Sequence, residues 1–323
     1  MAAVRDKGLD REKRPLSGFL LVDKPTGITS RKVVDIVRSC AGFDGKIGHS
    51  GTLDPMATGL LVLCLGKATR LASYLIRDDK SYCAVMEMGR ETDSGDAEGE
   101  VVFRGDDQLE VIDDGDIHRA FDRYRGVFSQ VPPRFSARKV GGRRAYELAR
   151  SGISVELKAS RVEIKELEIT RIEKPEIHFF LKCSSGTYVR SLALDVGREL
   201  GTGAHLTSLR RLEVGPFSVE DAGELGALKK ACGSREIGRW LFPSHTVLRK
   251  LQKVVVNADG ERLLKQGSPV AQECYSSPGI DVSGPSSGAE VQVWNSSSDF
   301  FAVGRMGTEE GEETMLYPVK VLG

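Results

Sequence analysis

Two apolar runs without alternation, GFLLVD at Gly18–Asp23 and LLVLCL at Leu60–Leu65, predict short buried strands. The first is stopped by Lys24-Pro25 and Gly27. Thr29 or Ser30 can then cap a helix that runs to Cys40, with Val33, Ile36, Val37 and Cys40 on one face. Lys67–Ile76 predicts a second helix with Leu71, Ala72 and Leu75 inward, and Ser81–Met88 alternates enough for a strand. Further on, Ile117–Tyr124 predicts a helix, and Arg161–Thr170 and Ile177–Cys183 predict two strands. Tyr188–Leu200 carries Val189, Leu192, Ala193, Val196 and Leu200 on one stripe, the period of an amphipathic helix. Strands and helices mix without regular βαβ alternation. That predicts an α+β fold with a mixed, mostly antiparallel sheet.

After Leu225 the texture changes. A connecting helical stretch near Lys229–Lys250 gives way to short β segments (KVVVN, EVQVW, FFAVG, LYPVKVL), interrupted by a Ser/Gly/Pro-rich loop at Ser276–Gly288. The expected organisation is a charged, disordered tail over 1–17, a large α+β domain over 18–250 and a small β domain over 251–323. A chain of 323 residues with 40% hydrophobic and 28% charged residues buries a core without disulfide or metal staples. Its six cysteines include no C-x-x-C pair, which points to a reducing compartment. The longest apolar run is too short to span a bilayer and the first fourteen residues lack an apolar signal core, so a cytoplasmic location is expected.

Forty-six basic residues balance forty-six acidic ones, but the charges are not evenly spread. Glu91–Asp122 holds twelve acidic residues against two basic ones, and this run is expected to be a solvated face. Val131–Arg150, a Pro-, Gly- and Arg-rich excursion from the sheet, holds six basic residues against Glu147 alone. A local patch matters more to a polyanion than the net sum, because phosphate neutralisation acts within a Debye length. On charge alone a solvated loop and a polyanion site are equally good readings of it.

Nucleotide chemistry finds little footing. Gly59 and Gly66-Lys67 have the wrong spacing for a phosphate loop, with a buried strand between them, and no G-x-G-x-x-G follows a strand. The five histidines share no metal-ligand spacing. The unusual stretch is GHSGTLDPMATGLLVL, Gly48–Leu63. Pro55 favours the first turn of a helix and pushes Asp54 into an extended conformation, so Asp54 is expected to project from a loop tip at a helix start. Taken alone, an Asp-Pro of this kind is better read as an ordinary N-cap, and His49 serves equally well as a loop hydrogen-bonding residue or a substrate contact.

That stretch resembles the catalytic motif of the tRNA pseudouridine-55 synthase family. Five more segments resemble the family in order: LLVDKPTGITS (Leu20–Ser30), DKSYCAVMEMGRETDSGDAEG (Asp79–Gly99), PPRFSARKVGGRRAYELARSG (Pro132–Gly152), CSSGTYVRSLALDVG (Cys183–Gly197) and GAHLTSLRRLEVG (Gly203–Gly215). The ending LYPVKVLG is similar to the close of a small, β-barrel-like, RNA-binding PUA domain. The resemblance implies a pseudouridine synthase catalytic domain with a thumb-like RNA-binding insertion over about 131–153, and a PUA-like domain behind it.

The implied activity is that of an isomerase that works without metal or organic cofactor. It converts uridine-55 in the T-loop of tRNA to pseudouridine by base flipping and a catalytic aspartate. The position matching that aspartate is Asp54, and Arg190 matches the arginine that keeps it ionised. Tyr82 matches the tyrosine against the target base, His49 the residue that fills the vacated space, Lys24 a lysine near the site and Leu209 a pocket-lining hydrophobe. Arg134, Arg138, Lys139, Arg143 and Arg144 would meet phosphates of the T-stem loop, and the C-terminal domain would grip the acceptor stem. The implied partner is tRNA, bound by a monomer with no obligatory protein partner and no membrane. Two other readings stand beside this one: a tRNA-folding chaperone with secondary catalysis, and a guide-RNA-dependent synthase working inside a multi-protein particle.

Overall fold

The computed structural model describes residues 16–136, 138–151, 153, 157–233, 237–276, 287–307 and 314–322. Residues 1–15 of the expected tail and most of the Ser/Gly/Pro-rich loop lie outside them. In chain order the first half comprises β1 (Gly18–Lys24), α1 (Ser30–Ala41), β2 (Ile47–His49), β3 (Thr58–Leu65), α2 (Ala72–Arg77), β4 (Lys80–Met88), β5 (Arg90–Thr92), β6 (Val101–Arg104), α3 (Asp114–Asp122) and β7 (Gly126–Gln130). There follow β8 (Lys139–Val140), β9 (Arg143–Arg144), α4 (Ala145–Arg150), β10 (Ser160–Glu173), β11 (Glu176–Cys183), α5 (Val189–Glu199), β12 (Ala204–Val214), β13 (Phe217–Ser218), β14 (Gly223–Glu224) and α6 (Leu225–Gly233). The last part holds β15 (Leu241–Phe242), β16 (Gln252–Val256), α7 (Ala258–Lys265), β17 (Tyr275–Ser276), β18 (Glu290–Asn295), β19 (Phe300–Gly307) and β20 (Met315–Val321).

An eleven-stranded sheet organises the first 242 residues, in the order β14-β1-β3-β12-β4-β11-β10-β7, with β13, β15 and β2 attached at its flanks. Its neighbours are antiparallel except β1–β14 and β3–β12. The fold is the expected mixed, mostly antiparallel α+β arrangement. The unbroken apolar runs in β1 and β3 follow from burial on both faces. Leu20, Val22, Leu61, Leu63 and Leu65 join the core beneath α1, α5 and α6, while Phe19, Leu21, Leu60, Val62 and Cys64 join a second core on the opposite face. Each such side chain contributes about 1.5–3 kcal/mol by leaving water. Toward the far edge β11 alternates, with Ile177, Phe179, Leu181 and Cys183 buried between half-buried neighbours. One face of the sheet is dry there and the other meets solvent.

Local signals explain the helix ends. Thr29 accepts a hydrogen bond from the Lys32 amide at the start of α1, and Gly42 closes it in the left-handed region (φ 55°) with its N–H on the carbonyls of Arg38 and Ser39. Gly197 lets α5 lie directly on β12: a Cβ there would stand 2.2 Å from the Ala204 nitrogen. Lys67–Ile76, expected as one helix, splits into a 3-10 turn over Gly66–Leu71 followed by α2. The acidic run does not behave as one solvated face. Asp113 and Asp116 form a reciprocal capping box on α3, Glu91 pairs with Arg198, and Asp96 is buried.

The small C-terminal sheet runs β17-β16-β18-β19-β20, and Val270 exchanges hydrogen bonds with Leu316 on β20. Among the described residues it is an open path rather than a closed barrel. It does not stand apart. Val303 and Leu322 are buried in the second core of the large sheet, and Tyr74 on α2 donates to Glu290 Oε2 at 2.6 Å. Lys320 Nζ donates to Ser73 Oγ at 2.8 Å.

Candidate active site

Of the residues singled out from sequence, the structure joins Asp54 directly to Arg190 and, through the neighbouring Pro55 carbonyl, to Lys24. Asp54 sits in the loop between β2 and β3, not at a helix start. The chain makes one turn, with the Ala57 amide donating to the Asp54 carbonyl at 3.1 Å, and enters β3 at Thr58. Pro55 favours a helical first turn, but the buried strand following at once overrides it.

That loop is pinned on every side. Ser30, buried in the first turn of α1, both donates to the Leu53 carbonyl (3.0 Å) and accepts from the Leu53 amide (2.8 Å). The Pro55 carbonyl accepts from the Gly27 amide at 2.9 Å and from Lys24 Nζ at 3.1 Å. Thr26 Oγ1 donates to the Met56 carbonyl. Asp54 is thus held by its backbone while its side chain keeps 32% of its surface open.

Lys24 is a buried strut rather than a turn-surface lysine. It is fully buried and gives its ammonium to three carbonyls, those of Pro25 (2.9 Å), Ile28 (2.7 Å) and Pro55. Burial lowers its pKa to about 8, against the opposing pull of Asp54 and Glu98.

Arg190 lies in the first turn of α5, a poor place for a cation by the helix dipole. Its 4% exposure and its contacts show what holds it there. Nε meets Asp54 Oδ2 at 2.9 Å, Nη1 donates to the Ser94 carbonyl at 2.8 Å and lies 3.5 Å from Asp96 Oδ2, and Nη2 donates to the Phe135 carbonyl at 2.8 Å. One guanidinium therefore gathers the Asp54 loop, the Ser94–Asp96 loop and the root of the basic insertion. Nearby, Gln130 clamps the Tyr188 backbone reciprocally, at 2.8 and 3.1 Å, and Ser191 Oγ donates to the Val131 carbonyl. Arg190 acts on Asp54 in the expected direction, but it is not the largest influence. Burial pushes the Asp54 carboxyl above its ordinary range; Arg190 opposes this and the like charge of Asp96 adds to it. The site holds an acid that ionises at a cost.

Tyr82, on β4, is 8% exposed and belongs to the main core, and burial raises its hydroxyl. Leu209 pairs with Ala84 across β12–β4 and is buried in the same core. His49 ends β2 opposite Leu63 and is half-buried. Of the basic insertion, Arg134 and Arg143 are exposed, and Arg138 donates to Ser160 Oγ at 3.1 Å. Lys139 and Arg144 stand on the β8–β9 hairpin, their side chains outside the described residues. Sequence reasoning missed Ser30, Asp96, Gln130 and Arg211. Asp96 was masked by its acidic neighbours, and the only sequence signal for Arg211 was its place in a segment resembling the family. Among the described residues no group of three or more His, Cys, Asp or Glu side chains could hold a metal ion.

A partly open carboxylate gripped by a buried guanidinium has the makings of acid–base or nucleophilic catalysis. The comparisons place it more closely. Residues 38–189 match the family described as TruB family pseudouridylate synthase (N terminal domain), and residues 190–255 match the tRNA pseudouridylate synthase B C-terminal domain. The chain is 42% identical over 268 residues to the tRNA pseudouridine synthase B of Aromatoleum aromaticum, covering 83% of this chain and 85% of that protein. It is 48% identical over 219 residues to the protein of the same name from Thermobifida fusca, covering 65% and 74%. The fold is similar to a chain solved in a Cbf5-Nop10-Gar1 complex, with TM-score 0.70 and 24% identity, over 95% of this chain and 85% of that one. It is also similar to a chain of an H/ACA RNP bound to a substrate RNA containing 2′-deoxyuridine, with TM-score 0.69, 22% identity and the same coverage. The chain belongs to the TruB family of pseudouridylate synthases.

Proposed function

We propose that this protein isomerises uridine to pseudouridine in tRNA, at position 55 of the T-loop, acting alone in the cytoplasm as a monomer. The reaction breaks the bond from uracil N1 to the ribose and forms one from C5; C5 loses its proton to solvent and N1 takes one up, so it needs no oxidant or group donor. The single observation that carries the reading is the Asp54–Arg190 pair, 2.9 Å apart, on a loop whose backbone is tied down at Leu53, Pro55 and Met56. A carboxylate so fixed can attack the sugar, add to the base or take a sugar proton.

A uridine stacked in the T-loop must be extruded, at a cost of a few kcal/mol. Tyr82 would lie against the freed base and His49 in the space it leaves, with Leu209 lining the pocket and Lys24 holding the Asp54 loop from below. Arg134, Arg138, Lys139, Arg143 and Arg144 would take backbone phosphates, and the 251–323 sheet the acceptor stem.

The test is tritium release from C5-labelled uridine in a T-stem-loop transcript mixed with purified protein and nothing else. Stoichiometric release from the single target uridine is expected. Release that requires an added guide RNA or protein would overturn the stand-alone reading, and no release under any supplement would overturn the activity.

A further inference from the structure

Gln130 closes β7 opposite Ser160 at the start of β10, so the basic excursion leaves and rejoins the sheet at this pair. The residue is buried, with 1% of its surface exposed, although its side chain ends in a polar amide. Both ends of that amide are used on one residue. Oε1 accepts from the Tyr188 amide at 2.8 Å, and Nε2 donates to the Tyr188 carbonyl at 3.1 Å. Tyr188 is the extended residue from which α5 starts, and its own side chain makes no capping bond. Its carbonyl also takes the first helical bond, from the Leu192 amide at 3.1 Å. The first turn of α5 continues the seam. Ser191 Oγ donates to the Val131 carbonyl and Arg190 Nη2 to the Phe135 carbonyl, both at 2.8 Å. Across the neck of the excursion Arg138 donates to Ser160 Oγ at 3.1 Å.

Leaving a buried amide unbonded is costly, and each bond it makes contributes only about 1 kcal/mol net. A methionine would fill the same length without polar atoms, so holding β7 against α5 does not require a glutamine. What the amide adds is direction. Two bonds of opposite sense to one residue's backbone fix where α5 begins and how it is rotated. Arg190 lies two residues on, and its Nε reaches Asp54 Oδ2 at 2.9 Å. We infer that Gln130 is a positioning residue that sets the root of the RNA-gripping excursion and the aim of Arg190 at Asp54 as one unit. It touches no reacting atom itself. RNA seated on the excursion and the carboxylate in the active site would thus share one rigid joint.

This inference rests on the activity proposed above, and the outcomes keep the two apart. Tritium release by wild type is the reference. Without it the activity falls and this role with it, whereas every outcome below arises only once wild type turns over. Gln130→Met, Arg190→Met and the double variant are compared for single-turnover rate, stem-loop affinity and melting temperature. Gln130→Met is expected to turn over roughly tenfold more slowly or worse, since a displacement of about 1 Å can cost a hundredfold, with affinity within about threefold of wild type. In the Arg190→Met background the same substitution should change turnover by less than about twofold, because a residue that acts through Arg190 has nothing left to aim. If Gln130→Met does not fold, Ser191→Ala, which removes only the bond to Val131, runs the same cycle with a smaller loss of roughly three- to fivefold. The assignment is overturned if a folded variant keeps wild-type turnover or if affinity falls in step with turnover. It is equally overturned if the full factor is lost again with Arg190 already replaced, as it would be for a residue that only holds the fold together.

Discussion

The Asp54 loop and the basic insertion are the two regions that the sequence marks most strongly, and they are built in opposite ways. The loop is short, and its backbone is tied to Ser30, Gly27, Lys24 and Thr26. The insertion is anchored at its root, through Gln130, Val131 and Phe135, while Arg134 and Arg143 beyond it stand exposed. Immobile donors around a reacting group need no reorganisation when charge develops, whereas cations that meet a flexible polyanion do better exposed. Density of charge in the sequence thus marks where RNA would be gripped. Burial of charge marks where chemistry would occur.

The sharpest way to break this contrast is Arg190→Met. It removes the cation shared by Asp54 and Asp96, and turnover should fall on the order of a hundred- to a thousandfold while stem-loop affinity changes little. Equal losses in both would make Arg190 a phosphate contact, and the contrast would vanish. Arg143→Glu with Arg144→Glu addresses the other side. Affinity should weaken roughly tenfold or more, with a shallower dependence on salt and an unchanged melting temperature. Binding that ignores the substitution at every salt concentration would remove the insertion from the interface.

Smaller effects test how the loop is held. Ser30→Ala leaves the Leu53 amide and carbonyl without their partner and should cost about 1–3 kcal/mol in chemical denaturation. Lys24→Met tests the strut through pH. Lys24 is lowered to about 8 in the folded chain from an ordinary 10.5, so between those values the unfolded chain binds a proton that the folded one does not. Stability from this group therefore rises with pH across that window. Lys80, lowered in the same direction, adds a like contribution. Wild type minus Lys24→Met should isolate the Lys24 part as a difference that grows from pH 8 upward, and a difference flat with pH would contradict it.

The apolar elements were legible because burial writes itself into periodicity. The runs at Gly18–Asp23 and Leu60–Leu65 became β1 and β3, and the stripe from Val189 to Leu200 became α5. β12 was not read as a strand. Its sequence, AHLTSLRRLEV, sets two arginines side by side, and nothing local says that Arg210 turns outward to Asp23 while Arg211 turns in. Asp54, Arg190 and Tyr82 were singled out by resemblance, and the contact of Asp54 with Arg190 is a property of the tertiary fold that no local pattern contains. Asp96 was hidden for a related reason: eleven other acids share its run, and only the fold buries this one against Arg190.

The central claim is that Asp54 is kept for reaction at the expense of the fold. Its pKa is raised by burial, so its ionised form is held less easily in the folded chain than in the unfolded one; the resulting penalty is absent below the unfolded pKa, grows as pH rises toward the folded one and is complete above it. Asparagine mimics the neutral acid. Turnover and thermal melting of Asp54→Asn at neutral pH, measured on the same preparation, test the claim most directly. The expected result is loss of tritium release with a melting temperature equal to or above that of wild type. Retained release, or a clear drop in melting temperature, would contradict it.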